Sequence, residues 1–461
     1  MSVSSEGLSD ADIDAVESFL FDWATQFDVP GVAASVVTPE TEEVATAVGA
    51  RRLIENNPAT PDTLYAVGSV SKSFTATAVM QLVDAGEISL DDSPAAYTPA
   101  DFDGVEDITL HDLLCHGSGL PSLAVSEGLI AQQTGYTNAP VPIGDHQDFY
   151  RYLNGAGDER LDGDWFLYSN SGYMLLADVV RTVTNRRFAD VIQTEVLEPL
   201  GMVRSTMDGA DFADTTDTMT PYRRAEDGDG WEETPVPIRE LSRGPGGLFT
   251  SVRELGSYLQ MYLNDGVADT GARVLSSAAI DQMTGGHTDT PVGPYGYGWR
   301  TVDLNGWSLV GHGGSVGVAT AYAGWSSELG LGVAVACNAS SGHGLRVLGE
   351  GLVLTAIGED PYATHPFFET HRRRRLLSGR YETYRGARTA RVERGDGLLR
   401  FQLEEPLPLE PTALVYEGET EDGYRYWAPT DDGRMPVEFI VDGSTVELIY
   451  DRWRLHQSST D

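Results

Sequence analysis

Lysine is almost absent from this chain. Of its 461 residues 31 are basic, and reading along the sequence finds one lysine, Lys72, against 30 arginines. Cysteine is nearly as scarce. Cys115 and Cys337 stand far apart with no CxxC spacing, which excludes a disulfide framework and a structural zinc site and leaves two free thiols. No apolar run reaches the roughly 18 residues that a membrane helix needs. Met1–Asp28 has neither the basic start nor the apolar stretch of an export signal, so the expected location is the cytoplasm. There is no HExxH, no clustered His/Asp set and no phosphate-binding glycine loop, so neither a metal nor a cofactor is expected.

Positive charge is heavily outweighed, 70 Asp and Glu against 31 basic residues, for a net charge of −39. Such a surface repels phosphate backbones and anionic lipid, which excludes nucleic acid and membrane as partners. It also repels itself unless salt screens it. High acidity with lysine replaced by arginine resembles proteins of salt-loving archaea, and a haloarchaeal type is the expectation. With 41% hydrophobic residues, 8 Trp, 20 Tyr and 14 Phe, the chain can bury more than one core.

Apolar periodicity divides the chain. A first amphipathic helix (Asp10, Ile13, Val16, Leu20) leads to two apolar runs, Val29–Val37 and Val44–Gly49, around a polar turn, which predicts a β-hairpin. A helix follows from about Ser69 to Ala85, with Phe74, Ala78, Leu82 and Ala85 on one stripe. Short helices and long loops occupy residues 90–290. Strands return at Gly298–Val302, Trp307–Val310, Val318–Trp325 and Gly330–Cys337, before a helix at about Leu345–Ile357. Strands at both ends with helices between predict an α/β domain over 1–365. Its antiparallel sheet comes from about 29–68 and 295–338, flanked by helices, with a helical subdomain inserted over 90–290. His371–Arg375 is expected to be a charged hinge meeting acidic neighbours. Residues 376–461 carry turn signals at Gly395-Asp396-Gly397, Asp422-Gly423, Asp432-Gly433 and Asp442-Gly443, the signature of a small antiparallel all-β barrel or sandwich.

The lone lysine lies in Gly68-Ser69-Val70-Ser71-Lys72-Ser73 at a helix start. Ser69 and Lys72 are i and i+3, one turn apart on one face. A serine hydroxyl needs a base before it attacks. Arginine cannot supply one, whereas a desolvated lysine can. Tyr168-Ser169-Asn170 stands directly before another helical stretch, and His312-Gly313-Gly314-Ser315 beside a strand.

SxxK, then YxN about a hundred residues on, then HxG near the end of the domain resembles the serine β-lactamase and penicillin-binding family. More narrowly it resembles the class C-like branch (peptidase family S12, with its esterase and D-aminopeptidase relatives). Thr109–Pro121, Leu197–Met202, Gly246–Thr250 and Tyr295–Trp299 agree with it. The resemblance implies that Ser69 is acylated and that Lys72 and Tyr168 share the proton traffic. It implies that Asn170 orients Lys72 and bonds the substrate amide, and that His312 lines the substrate side and tunes Tyr168. The N–H groups of Ser69 and Ser315 would form an oxyanion hole beside Gly313 and Gly314. His116 would order a loop. Where relatives that bind a substrate carboxylate carry Thr or Ser, this chain has Gly313. The C-terminal domain resembles the lipocalin-like barrel appended to archaeal members, expected to cap the cleft or make homo-oligomer contacts.

The expected function is a serine hydrolase working through an acyl-serine on small peptides, including D-residue peptides, or small esters. Two alternatives stand beside it: β-lactamase or D-Ala carboxypeptidase-like activity, and a non-catalytic ligand-binding or scaffold protein. Gly313–Gly317 also matches GxSxG, but that elbow needs a helix after it. Val318–Ala323 reads as strand.

Overall fold

The computed structural model describes the chain except residues 1–6, 103, 138–142, 164, 226–227, 229, 238–239, 341–343, 396, 431–432 and 459–461. The chain divides into two compact units, Met1–Glu359 and Asp360–Asp461.

In the first unit, α1 (Asp10–Gln26) is started by a capping box in which Ser9 and Asp12 bond each other's backbone N–H, and it buries Val16, Phe19, Leu20 and Trp23. The expected hairpin is β1 (Gly31–Val37) and β2 (Glu42–Arg52), followed by the short β3 (Asn57–Pro58). The helix of the Ser-Lys motif is α2 (Ser71–Asp84). Three further helices bear on the site: α3 (Val125–Gln133), α4 (Asn170–Thr184) and α5 (Val252–Leu263). Then come β4 (Arg300–Leu304), β5 (Trp307–Ser315), β6 (Thr320–Ser326), β7 (Leu331–Cys337) and α6 (Arg346–Ala356).

The sheet order is β3-β2-β1-β7-β6-β5-β4, antiparallel throughout, so strands from both ends of the unit meet at the β1–β7 pair. Every residue of β1, β6 and β7 is buried, as strands covered on both faces must be. Helix α5 packs on β1 and β7 from one side, and α1 against α6 from the other. This is the expected α/β architecture with inserted helices.

Helix α2 departs from its reading as an amphipathic stripe. Ser71–Met80 is buried without a break, because α2 runs through the core. Its hydroxyls are satisfied internally: Ser73 Oγ donates to Val70 O (2.8 Å), and Thr75 Oγ1 to Gly244 O (2.7 Å).

In the second unit eight antiparallel strands, from Gly379–Glu382 to Trp453–Gln457, pair in sequence order, and the first also pairs with the last. This closed barrel is the expected all-β domain. Its interior is filled by side chains including Tyr381, Phe401, Tyr426, Phe439 and Leu455. Asp422-Gly423 and Asp442-Gly443 sit at hairpin turns. Asp396 and Asp432 lie outside the described residues, although the strands flanking each pair as hairpins.

His371–Arg375 is not a hinge. It lies inside α7 (Pro366–Leu377), which belongs to the barrel unit. The reason is Arg373, 5% exposed, which pairs with Glu369 (2.5 Å) and donates through Nε to Tyr426 Oη (3.1 Å). Its guanidinium rests 3.7 Å from the centroid of the Tyr416 ring. Gln457 ties the last strand to the helix end by donating to Leu376 O (3.1 Å) and Ser378 O (2.8 Å).

Candidate active site

Ser69 sits on a single 3-10 turn, Gly68–Val70, that runs straight into α2. It is partly exposed, while its neighbours from Val70 to Met80 are buried. One turn on, Lys72 is wholly buried, 0% exposed, and its ammonium has three acceptors. Nζ lies 3.1 Å from Ser69 Oγ, 2.6 Å from Asn170 Oδ1 and 3.0 Å from Pro245 O. Burial pushes Lys72 down from 10.5 to about 7, against a smaller upward pull from Glu127.

Tyr168 and Asn170 come from the start of α4. Ser169, itself extended, caps that helix, its hydroxyl accepting from Gly172 N (3.2 Å), so Asn170 is the first helical residue and Tyr168 stands just ahead of the cap. The Tyr168 ring centroid lies 4.7 Å from Lys72 Nζ. Burial raises the Tyr168 phenol well above its usual range, with the Ser69 hydroxyl pulling the other way. The two partners therefore move apart: the lysine is readily neutral, the phenol firmly protonated.

The strand edge at β5 reaches the Ser69 turn because two glycines allow it. A Cβ on Gly314 would fall 1.9 Å from Val67 O and 2.9 Å from Ser69 N, and one on Gly68, at φ +53°, would fall 2.6 Å from Ser315 N. Only bare backbone fits at that approach. It brings the amides of Ser69 and Ser315 to the same side of the cleft. Gly313 faces open space, and its nearest neighbour would be Ala321 O at 3.9 Å. Ser315 is followed by β6, not by a helix, so the GxSxG match is no nucleophile elbow.

His312 lies in this group with both ring nitrogens engaged. Nδ1 stands 2.5 Å from Gly313 O, where only an N–H belongs, and Nε2 therefore accepts from Tyr295 Oη at 3.0 Å. Burial and the Lys72 charge push it down to about 3, so the ring is neutral. Its centroid is 6.1 Å from that of Tyr168, a packing distance.

Four further residues shape the site. His116, buried at φ +61°, accepts the Ser169 N–H on Nδ1 (3.1 Å) and so holds the start of α4, as a loop-ordering residue would. Tyr295 holds His312. Glu127 on α3 accepts from Asn170 Nδ2 (2.9 Å). Arg300 lies over Phe166 and Tyr295, and its buried Nε finds no partner among the described residues. Tyr295 lies in a stretch noted for its resemblance alone, and no signal in the sequence pointed to Glu127 or Arg300.

Two pockets meet at Ser69 and Ser315. A small one of about 60 Å3 is lined by Leu129, Ile130, Met207, Phe249 and Asn170. A larger one of about 460 Å3 is lined by Tyr168, His312, Tyr322 and two cations, Arg300 and Arg346. Among the described residues no group of three or more His, Cys, Asp or Glu is placed to hold a metal ion.

Comparison with known proteins agrees with this fold. Residues 20–356 match the family model described as Beta-lactamase, and residues 361–456 match that of the Pab87 octamerisation domain. Penicillin-binding protein 4 of Amycolatopsis lactamdurans is 30% identical over 316 residues, 65% of this chain and 78% of that one. The octameric penicillin-binding protein homologue from Pyrococcus abyssi superposes with a TM-score of 0.85 at 29% identity, covering 97% of this chain and 100% of that one. A D-stereospecific amidohydrolase from Streptomyces shares the fold, with a TM-score of 0.59 at 22% identity over 77% of this chain and 99% of that one.

Proposed function

The chain belongs to the beta-lactamase family, and from that premise we propose that it is a serine hydrolase that cleaves amide or ester bonds through an acyl-Ser69. The observation that carries this reading is the 3.1 Å approach of Lys72 Nζ to Ser69 Oγ, in a site where burial brings the lysine to about 7. Neutral Lys72 takes the Ser69 proton as Oγ attacks the carbonyl. The oxyanion is met by the N–H groups of Ser69 and Ser315. Tyr168, protonated at rest, gives its proton to the leaving group. The tyrosinate so formed, beside the lysine ammonium, then takes a proton from the deacylating water. Lys72 returns its proton to Oγ as the acid leaves, and the site is back at its start. Asn170 holds Lys72 and meets the substrate amide, while neutral His312 with Gly313 walls the leaving-group side.

The acyl group would enter the small pocket, whose size and mixed lining, Leu129, Ile130 and Met207 beside Gln133 and Arg243, suit a short side chain, as in small peptides of either hand or small esters. A second reading has its own support. Arg300 and Arg346 line the larger pocket, and a leaving group with a free carboxylate would find charge there despite the missing hydroxyl at Gly313. That favours carboxypeptidase-like or β-lactamase-like turnover.

The test is a panel of D- and L-aminoacyl amides, p-nitrophenyl esters and a chromogenic cephalosporin, with fluorophosphonate labelling, in molar salt. Ser69→Ala is expected to abolish labelling and turnover, and Ser315→Ala to keep most of both. An unlabelled wild-type Ser69, with no turnover across the panel, would favour a binding protein and refute the reading. The match of 361–456 to an octamerisation domain supports a homo-oligomer, which the molar mass in solution checks.

A further inference from the structure

Asn170 stands between a base and an acid. Its Oδ1 accepts from Lys72 Nζ at 2.6 Å, and its Nδ2 donates to Glu127 Oε1 at 2.9 Å. The two ends of an amide are not equivalent. A carboxylate can only accept, so Glu127 selects the orientation in which Nδ2 faces it and Oδ1 faces the lysine. The chain then reads carboxylate, amide N–H, amide carbonyl, ammonium. Each link is polarised in the sense that favours a charged Lys72.

The placement of Glu127 is built into the fold. Helix α3 follows Ala124, which is held at φ +51°. It buries Val125 and Leu129, one turn apart on its inner face, and leaves Glu127 exposed. Leu123 N donates to Ser171 Oγ (3.3 Å), tying the segment ahead of α3 to the same first turn of α4 that carries Asn170.

The other groups facing Lys72 do not offer this charge. Ser69, Tyr168 and Tyr173 are neutral hydroxyl groups around it, and Pro245 contributes a carbonyl. His116 and His312 are both held neutral by burial and by Lys72 itself. Arg300 is a cation, and Arg243, two residues from Pro245, is paired with Asp208 and Glu240. Among the described residues Glu127 is the carboxylate whose charge acts on Lys72.

We propose that Glu127 is a positioning residue that, through the Asn170 amide, orients the hydrogen bond on Lys72 and holds the proton there, and so sets the acid limb of the activity profile. The inference rests on the serine hydrolase reading for its catalytic consequence, but not for its test. A base that must take a proton from Ser69 needs its conjugate acid stabilised at that moment. Burial works against the ammonium, and the Glu127–Asn170 chain is the counterweight.

With one lysine in the chain, lysine labelled with carbon-13 at Cε gives a single side-chain resonance. Its pH titration in the intact protein reads Lys72 directly. Glu127→Gln keeps an acceptor and loses the charge, and Glu127→Ala loses both. The titration midpoint is expected to fall by about one pH unit in Glu127→Gln and further in Glu127→Ala. Glu127→Asp is expected to recover part of the fall. The acid limb of kcat/KM should move to lower pH by the same amount. Midpoints that stay at the wild-type value in both Gln and Ala variants overturn the inference, and a rise in KM with an unmoved midpoint would make Glu127 a substrate contact instead. Loss of turnover in every variant and in wild type would count against the hydrolase reading and leave the resonance to decide this one.

Discussion

Replacing Lys72 by methionine separates what the lysine costs from what it does. In an unfolded chain the group titrates near 10.5, and in the folded protein near 7. That difference is worth about 5 kcal/mol, at about 1.4 kcal/mol for each pKa unit. The sign follows from proton counting. Between pH 7 and 10.5 the unfolded state holds a proton on Lys72 that the folded state has released, so stability rises with pH across this window. Below pH 7 both states are protonated and the full cost of a buried ammonium is present; above 10.5 it is gone. Methionine fits a similar volume and carries no charge, but strands the carbonyls of Asn170 and Pro245. Two unpaired acceptors cost about 2–6 kcal/mol together. Lys72→Met should therefore lie between about 1 kcal/mol less and about 3 kcal/mol more stable than wild type below pH 7, and be about 2–6 kcal/mol less stable at pH 10.5, a shift of about 5 kcal/mol between them. Turnover should fall about 10²–10⁴-fold, the worth of a general base. Lys72→Arg, the exchange made everywhere else in the chain, keeps a charge that cannot be shed and should be less stable than the methionine variant near neutral pH. The assay is denaturant unfolding of wild type and variant in parallel over this pH range in molar salt. A stability difference that is flat in pH would refute the reasoning, because it would mean that the folded protein does not depress Lys72.

The two glycines of the third motif predict opposite outcomes. Gly314→Ala puts a methyl 1.9 Å from Val67 O and should reduce acylation by fluorophosphonate at least about 100-fold, the value of an oxyanion donor, with the fold retained by circular dichroism. Gly313→Thr has room for its Cβ and should leave the fold intact while raising the acylation rate by penicillin-type probes about tenfold, since it supplies a hydroxyl on the arginine side of the cleft. An unchanged rate in both variants would mean that acylation does not take place in the cleft beside Ser69.

Much of the first unit was legible because its strands and helices carry their own periodicity. The closing helix, expected at about Leu345–Ile357, was read to within one residue at each end, and the β1–β2 hairpin to within a few. The Ser69–Lys72 and Tyr168–Asn170 pairs were legible for a local reason as well: each spacing is set within one turn of a helix start. What escaped was non-local. In α2, Ser71, Ser73, Thr75 and Thr77 are polar in the sequence, yet each hydroxyl bonds a carbonyl or a tyrosine inside the core. Helix α3 has no side-chain N-cap and starts after a left-handed alanine, so nothing local announces it or its Glu127. Arg373 looks like one of four equal arginines until the barrel supplies Tyr416 and Tyr426 as its partners. Similarly, the meeting of Gly314 with the Ser69 turn joins residues 245 positions apart in the chain.

The acidity of the chain and its single lysine belong to one electrostatic problem. A net charge of −39 favours any bound proton and so works to raise Lys72, against the burial that lowers it. A carboxylate about 15 Å away contributes only about 0.3 kcal/mol through water, but several acting together reach about one pH unit. Salt decides whether they act: the screening length is about 10 Å at 0.1 M and about 3 Å at 1 M. In molar salt the distant carboxylates drop out, and Lys72 answers only to its burial and to the hydrogen-bonded chain through Asn170. At low salt the field returns, so the Lys72 midpoint and the acid limb of kcat/KM should both rise, by a few tenths to about one pH unit. Titrating the lone lysine resonance against salt at constant temperature measures this, and a midpoint that stays put or falls as salt is removed would mean that the acidic surface does not raise Lys72.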